Sequence, residues 1–123
     1  MSKNVIGTDL QVCCDDPKTG FYRTGSCDTG PDDAGMHTVC VLITEDFLEY
    51  SKSKGNDLST PVLLSGFKGL KENDRWCVCL SRWVEAYEDG RAPMIYLRST
   101  HISALEFIDQ EVLNEFALDE KLT

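Results

Sequence analysis

The sequence predicts an α+β fold, a small sheet with helices layered on one face and two long ordered loops. Three observations carry that expectation. The β-rich apolar runs 38–43 and 75–80 are each followed at once by a capped segment with apolar residues at helical spacing, closed by a glycine. A third run, 92–97, has the same strand character. Residues 15–36 and 55–74 show no apolar period and are dense in Gly, Pro, Asp and Thr, the residues of turns. Strands alternating with helices favour mixed layers, and three or four strands favour a two-layer sandwich over a doubly wound sheet.

Taken in order, residues 1–12 are a short lead with apolar Val5, Ile6, Leu10 and Val12. Residues 15–36 follow, with glycines at 20, 25, 30 and 35, helix-breaking Pro17 and Pro31, and Phe21-Tyr22 as apolar anchor. A connection this long inside a small domain is usually functional when ordered. The run 38–43 is almost wholly apolar, so it reads as a strand buried on both faces. Thr44 then caps a helix with Glu45 and Asp46 in its first turn, a stripe of Phe47, Leu48 and Tyr50, and Gly55 as its stop. The second loop ends in a turn at 71–74 and leads into the strand 75–80. Ser81 is placed to cap a helix over 82–89 whose apolar face is Trp83, Val84, Ala86 and Tyr87, with Gly90 closing it. Pro93 is allowed at the start of the third strand. Thr100 is expected to cap a short helix through Leu105. Asp109 is expected to cap a last one carrying Val112, Leu113, Phe116 and Ala117 on one side. One domain over 1–123 fits the length.

Twelve Lys and Arg against 21 Asp and Glu give a net charge of −9 and a pI near 4.5. Phosphate backbones and anionic lipid surfaces are repelled by such a chain, so neither nucleic acid nor membrane is expected as a partner. No apolar run reaches the ~18–20 residues of a membrane span, and residues 1–9 lack the apolar core of a secretion signal. A cytoplasmic protein is the resulting expectation. Six cysteines stand at 13, 14, 27, 40, 77 and 79, and for a reducing cytosol they are expected as free thiols.

The same cysteines offer chemistry. Cys77-x-Cys79, with Cys40 on a neighbouring strand and His37 just before it, could assemble a zinc set. No Cys-x2-Cys pair or His-x3-His supports it, and buried cysteine often packs as a small apolar group. A thiol nucleophile needs a cation or helix N-terminus nearby. Cys79 precedes the Ser81 cap with Arg75 and Arg82 close in sequence, and Cys27 sits near Arg23, yet no Cys–His–Asn/Asp spacing marks a known hydrolase. His101 follows a strand and is a candidate general base. Asp28, Asp32 and Asp33 offer calcium ligands, but the regular calcium-loop spacing is absent and Asx-turns account for them. Phosphate-loop, dinucleotide and serine-hydrolase signatures are missing, and no cofactor is expected.

Read together, the motifs are recognisable. Asp16-Pro17, Thr19-Gly20-Phe21, Asp28-Thr29-Gly30-Pro31, Gly35, His37-Thr38-Val39-Cys40, Phe47-Leu48, Ser51-Lys52, the run Gly55-Asn56-Asp57-Leu58-Ser59-Thr60-Pro61, Gly69-Leu70-Lys71 and Asp74-Arg75-Trp76-Cys77-x-Cys79 resemble the family catalogued as domain of unknown function 2237. The likeness covers about residues 4–117. Lys68-Gly69-Leu70-Lys71-Glu72-Asn73-Asp74 departs from the family's Pro-Gly-Leu-Lys-Pro-Gly-Asp, and Cys14 looks additional. The resemblance implies a small, mostly bacterial α+β domain and no activity, so no catalytic residue is carried over from it.

The expected site lies where the two loops meet His37, Asp57, Ser59, Thr60 and Arg75. The first reading is a domain that binds or acts on a small polar molecule there. A non-catalytic interaction or structural subunit is the second. A thiol- or zinc-dependent site around Cys40, Cys77 and Cys79 is the third. The plain alternative is that the loops only cover the core through Phe21, Tyr22, Leu58 and Phe67. Oligomeric state is left open.

Overall fold

The computed structural model describes residues 2–119; residues 1 and 120–123, including one half of the acidic pair 119–120, lie outside that range. Two of the apolar runs pair as antiparallel strands, β1 (Val39–Leu42) and β2 (Arg75–Val78). The register sets Val39 opposite Val78, Cys40 opposite Cys77, Val41 opposite Trp76 and Leu42 opposite Arg75. Side chains alternate across a strand, so this register sorts the ribbon into two unlike faces. Val39, Val41, Trp76 and Val78 turn to the main core. Cys40 and Cys77 turn to a separate, smaller cluster with Cys13 and Cys27.

Helices fill the core against the apolar face. In α1 (Glu45–Ser53) the Thr44 hydroxyl accepts from the Phe47 N–H at 3.1 Å, satisfying one of the unpaired donors of the first turn. Phe47, Leu48 and Tyr50 are buried, as their spacing predicts. In α2 (Leu80–Glu88) Trp83 and Ala86 are fully buried, and the Trp83 indole donates to the Pro93 carbonyl at 3.2 Å. The Tyr50 hydroxyl donates to Asp89 Oδ2 at 2.5 Å and so ties α1 to the end of α2. In α3 (Gln110–Glu115) Leu113 is buried and Asp109 takes the cap position without a side-chain bond.

The structure corrects the sequence reading in four places. β2 ends two residues sooner than the apolar run. The helix begins at Leu80 with Cys79 as its cap residue rather than Ser81, because the Leu80 side chain is buried in the core and its N–H is held by the Met36 carbonyl at 3.0 Å. Cys77 and Cys79 therefore do not share a strand face. Second, residues 92–97 form no full strand. Pro93 has no N–H to give, and the chain turns into a 3-10 segment at Leu97–Ser99. Only Ile95 bridges, to Val41 on one side and Ala117 on the other. Third, His101 rather than Thr100 caps the short helix, accepting from the Ser103 N–H at 3.1 Å. The buried Thr100 hydroxyl instead accepts from the Cys40 N–H and donates to the Tyr96 carbonyl.

The fourth correction concerns the thiols. Cys13 is bonded to Cys40 and Cys27 to Cys77, leaving Cys14 and Cys79 free. The register makes Cys40 and Cys77 neighbours on one face, and the irregular front segment lies over that face with few apolar residues of its own. Cross-links there do work that burial does elsewhere. The front segment is further anchored where Thr19, fully buried, accepts from the Cys77 N–H at 2.8 Å. Gly20 is required beside it: its φ is +97°, and a β-carbon would fall on the Ser26 carbonyl oxygen.

Candidate functional site

Both long loops converge on the end of β2. A cavity of about 260 Å³ opens there. Arg23 from the first loop, Asn56, Leu58, Ser65 and Phe67 from the second, and Trp76 from β2 line it. His37 and Cys79 form part of its wall.

These two side chains are in contact. Cys79 Sγ lies 3.2 Å from His37 Nε2. The other ring nitrogen, Nδ1, lies 2.7 Å from Asp33 Oδ1. Asp33 Oδ2 in turn accepts from the His37 backbone N–H at 2.9 Å and from the Thr29 hydroxyl at 3.0 Å. The Asp33 side chain is fully buried, whereas that of His37 is about one-third exposed. The result is a line of sulfur, imidazole and carboxylate in which the carboxylate fixes the ring and its tautomer, the logic of a nucleophile, base and orienting group.

Local sequence explains each placement. Asp33 and His37 are four residues apart on a compact turn in which Met36 adopts a positive φ of 51°. Cys79 sits at the N-terminus of α2, where the helix dipole favours negative charge. Gly35 closes over the pair. A β-carbon there would stand 3.0 Å from His37 Cε1 and 3.1 Å from Cys79 Sγ. The Phe21 ring stacks on the imidazole with centroids 5.8 Å apart.

Electrostatics follow from these contacts. The hydrogen bond to Cys79 does most to raise the His37 pKa, burial opposes it, and the Asp33 bond with the charges of both partners brings it to about 9. Burial pushes the Asp33 carboxyl upward, but hydrogen bonds from the His37 ring, the His37 N–H and the Thr29 hydroxyl outweigh that, and it stays below the usual carboxylate range. Chemically, the arrangement can take a proton from a thiol onto a held imidazole beside an open cavity.

Of the residues expected at the site, His37 lies in the cavity wall. Asp57, Ser59 and Thr60 form a self-contained exposed turn. Asp57 accepts from the Ser59 and Thr60 N–H groups and from both hydroxyls, the Thr60 hydroxyl doing most to lower its pKa to about 2. Arg75 points to the other face of the ribbon, its guanidinium 4.0 Å over the Tyr96 ring. His101 makes a helix cap, with its pKa lowered by burial. The expected zinc set divides: Cys40 and Cys77 are in different disulfides, and of that set His37 and Cys79 remain together. Asp33, read as a turn residue, is the member the sequence reading missed. Its signal was the four-residue spacing to His37.

Fold and site together define a small α+β domain with a cysteine, histidine and aspartate aligned at a cavity between two loops. Residues 3–117 match the family described as an uncharacterized protein conserved in bacteria, domain of unknown function 2237, and the chain belongs to it. No curated protein matches the chain. Among the described residues, no helix is long and apolar enough to cross a membrane.

Proposed function

We propose that the chain is a thiol-dependent catalyst acting on a small polar molecule held between the two loops, with Cys79 as nucleophile, His37 as its base and Asp33 as the group that orients His37. The contact series Cys79–His37–Asp33 carries this reading. The proton shared by Cys79 and His37 rests on the imidazole, and Sγ bonds to an electrophilic acyl carbon of the substrate. The leaving group departs with that proton, and water, deprotonated by the same imidazole, then releases the acyl group and restores the thiol. The cavity, with Arg23, Asn56 and Ser65 in its wall, has the size and polarity for a small polar substrate.

Iodoacetamide at neutral pH tests the reading, because Cys14 is a built-in reference: it is the other free thiol and is similarly half-buried. Cys79 is expected to alkylate well ahead of Cys14, and His37→Gln to erase the preference. Equal rates at the two thiols in the wild-type protein would overturn the proposal.

A second reading, an interaction subunit, draws on one observation. The tip of the second loop presents Val62, Leu63 and Leu64 to solvent, the latter two almost fully exposed, directly beside the cavity. Loss of a partner from Leu63→Ser/Leu64→Ser protein, with Cys79 alkylation unchanged, would favour it.

A further inference from the structure

We infer that the four cysteines on the second face of the ribbon form a redox-gated zinc site: two disulfides when oxidised, and one tetrathiolate Zn2+ when reduced. Cys13, Cys27, Cys40 and Cys77 are each at least 97% buried and pack as one cluster. The sulfurs of Cys13, Cys27 and Cys77, which belong to two different bridges, all lie within 4.8 Å of one another, and Cys40 is bonded to Cys13. A tetrahedral zinc–thiolate centre has Zn–S bonds of about 2.3 Å and hence sulfur–sulfur edges of about 3.8 Å. No two of those three sulfurs therefore stand more than about an ångström beyond that spacing, and Cys40, outside the trio but bonded to Cys13, supplies the fourth once its bridge is reduced.

The supports differ from those of the Cys79 site. Two ligands come from directly opposed strand positions, Cys40 and Cys77, and two from the irregular front segment. Rigid strands thus hold half of the set and a loop closes the rest. Tyr96 packs against the cluster, and the Arg75 guanidinium lies 4.0 Å over its ring, so one ring separates a cation from a centre whose net charge would be −2. Neither Cys79 nor His37 is among the ligands, so this inference does not rest on the proposed activity.

The chemistry balances. Each disulfide takes two electrons and two protons from a dithiol reductant, which is itself oxidised to a disulfide. The four thiols then release their protons to solvent as the sulfurs bind Zn2+. In the oxidised state the bridges hold the front segment on the ribbon, and in the reduced state the metal does. Either way Asp33 and His37, carried between Cys27 and Cys40, remain in register with Cys79.

The test compares tag-free full-length protein oxidised and reduced, each equilibrated with Zn2+ and freed of excess metal. The oxidised form is expected to bind no zinc and to show the two thiols of Cys14 and Cys79 after denaturation. The reduced form is expected to hold about one zinc per chain, to shield Cys13, Cys27, Cys40 and Cys77 from alkylation, and with Co2+ to give the absorption of a tetrahedral tetrathiolate. Cys27→Ser should lose the metal and Cys79→Ser keep it. If Cys27→Ser does not fold, the shielding pattern and cobalt spectrum of the reduced wild type decide. Reduced wild-type protein that holds no zinc, shields other cysteines, or loses its zinc on Cys79→Ser overturns the inference.

Discussion

Gly35 gives the most direct handle on the Cys79–His37 contact. Its backbone lies outside the left-handed region, so alanine meets no conformational barrier there. The added methyl would stand 3.0 Å from His37 Cε1 and 3.1 Å from Cys79 Sγ, where ordinary contacts begin at 3.4 Å. The imidazole and sulfur must therefore separate from the methyl by a few tenths of an ångström, and the 3.2 Å contact between them is the softest bond available to yield. A hydrogen bond to a charged group contributes about 1.5–3 kcal/mol. Losing about 1.4 kcal/mol, close to the lower end of that range, corresponds to roughly tenfold in a rate. On the folding side, Gly→Ala stabilises by about 0.4–1 kcal/mol through the unfolded chain, which offsets much of the local crowding. Gly35→Ala should thus stay within about 1 kcal/mol of wild type in stability while its Cys79 alkylation, referenced to Cys14 by peptide mass spectrometry, falls about tenfold. An unchanged Cys79-to-Cys14 ratio in a folded variant would refute the claim that His37 activates Cys79 by contact.

Further expectations concern charge, cross-links and one buried amide. His37 has its folded pKa raised from 6.5 to about 9, so the stability it contributes is full below 6.5 and is lost as pH rises through about 9. Tm measured from pH 6 to 10 should show this fall in wild type and lack it in His37→Gln; parallel curves would contradict it. Asp33→Asn keeps the shape of the group but removes its charge, and NMR should find the His37 pKa lower than in wild type; an unmoved titration would remove Asp33 from the site. The Cys27–Cys77 bridge closes a 50-residue separation and Cys13–Cys40 one of 27. The chain-entropy relation gives about 4 kcal/mol for the first and about 3.5 for the second. Urea unfolding of the two double-serine variants under oxidising conditions should give losses of that size, and a neutral result for either would show that its bridge does not constrain the chain. Asn4 is fully buried and uses both ends of its amide, donating to Thr8 Oγ1 and to the carbonyls of Asp9 and Arg98 while accepting from Ile6 and Thr8. Asn4→Ala should cost about 2–4 kcal/mol, since several buried backbone groups lose partners; a loss under about 0.5 kcal/mol would mean water replaces the amide freely.

Much of the fold was legible because its signals are local. The apolar runs around Leu42 and Val78 give the paired strands, and Thr44 with Phe47, Leu48 and Tyr50 gives α1. The third strand was not readable, since Ala92–Leu97 has strand composition but its fate depends on Pro93 and on the turn at Leu97, which only the packed structure sets. Cysteine pairing was inferred from compartment rather than geometry, and the deciding fact, Cys40 directly opposite Cys77, is a register that no single run encodes. At the site, His37 was visible and its partners were not. Cys79 lies 42 residues away, and Asp33 looks in sequence like any aspartate of a turn. Asp57, Ser59 and Thr60 attracted notice for the same polar character that the structure shows satisfied within their own turn.

The division of the ribbon into an oily face and a sulfur face has a consequence for how the chain finds its pairing. Sliding β2 by one residue would swing Cys77 into the oil and bring Trp76 out towards Cys27, so the Cys27–Cys77 bridge could not close, whereas Cys13–Cys40, seated on β1, would be untouched. Oxidation at Cys77 therefore proofreads strand alignment: that covalent seal sets only on the correctly matched pair of strands, and a mismatched pair is left open to try again.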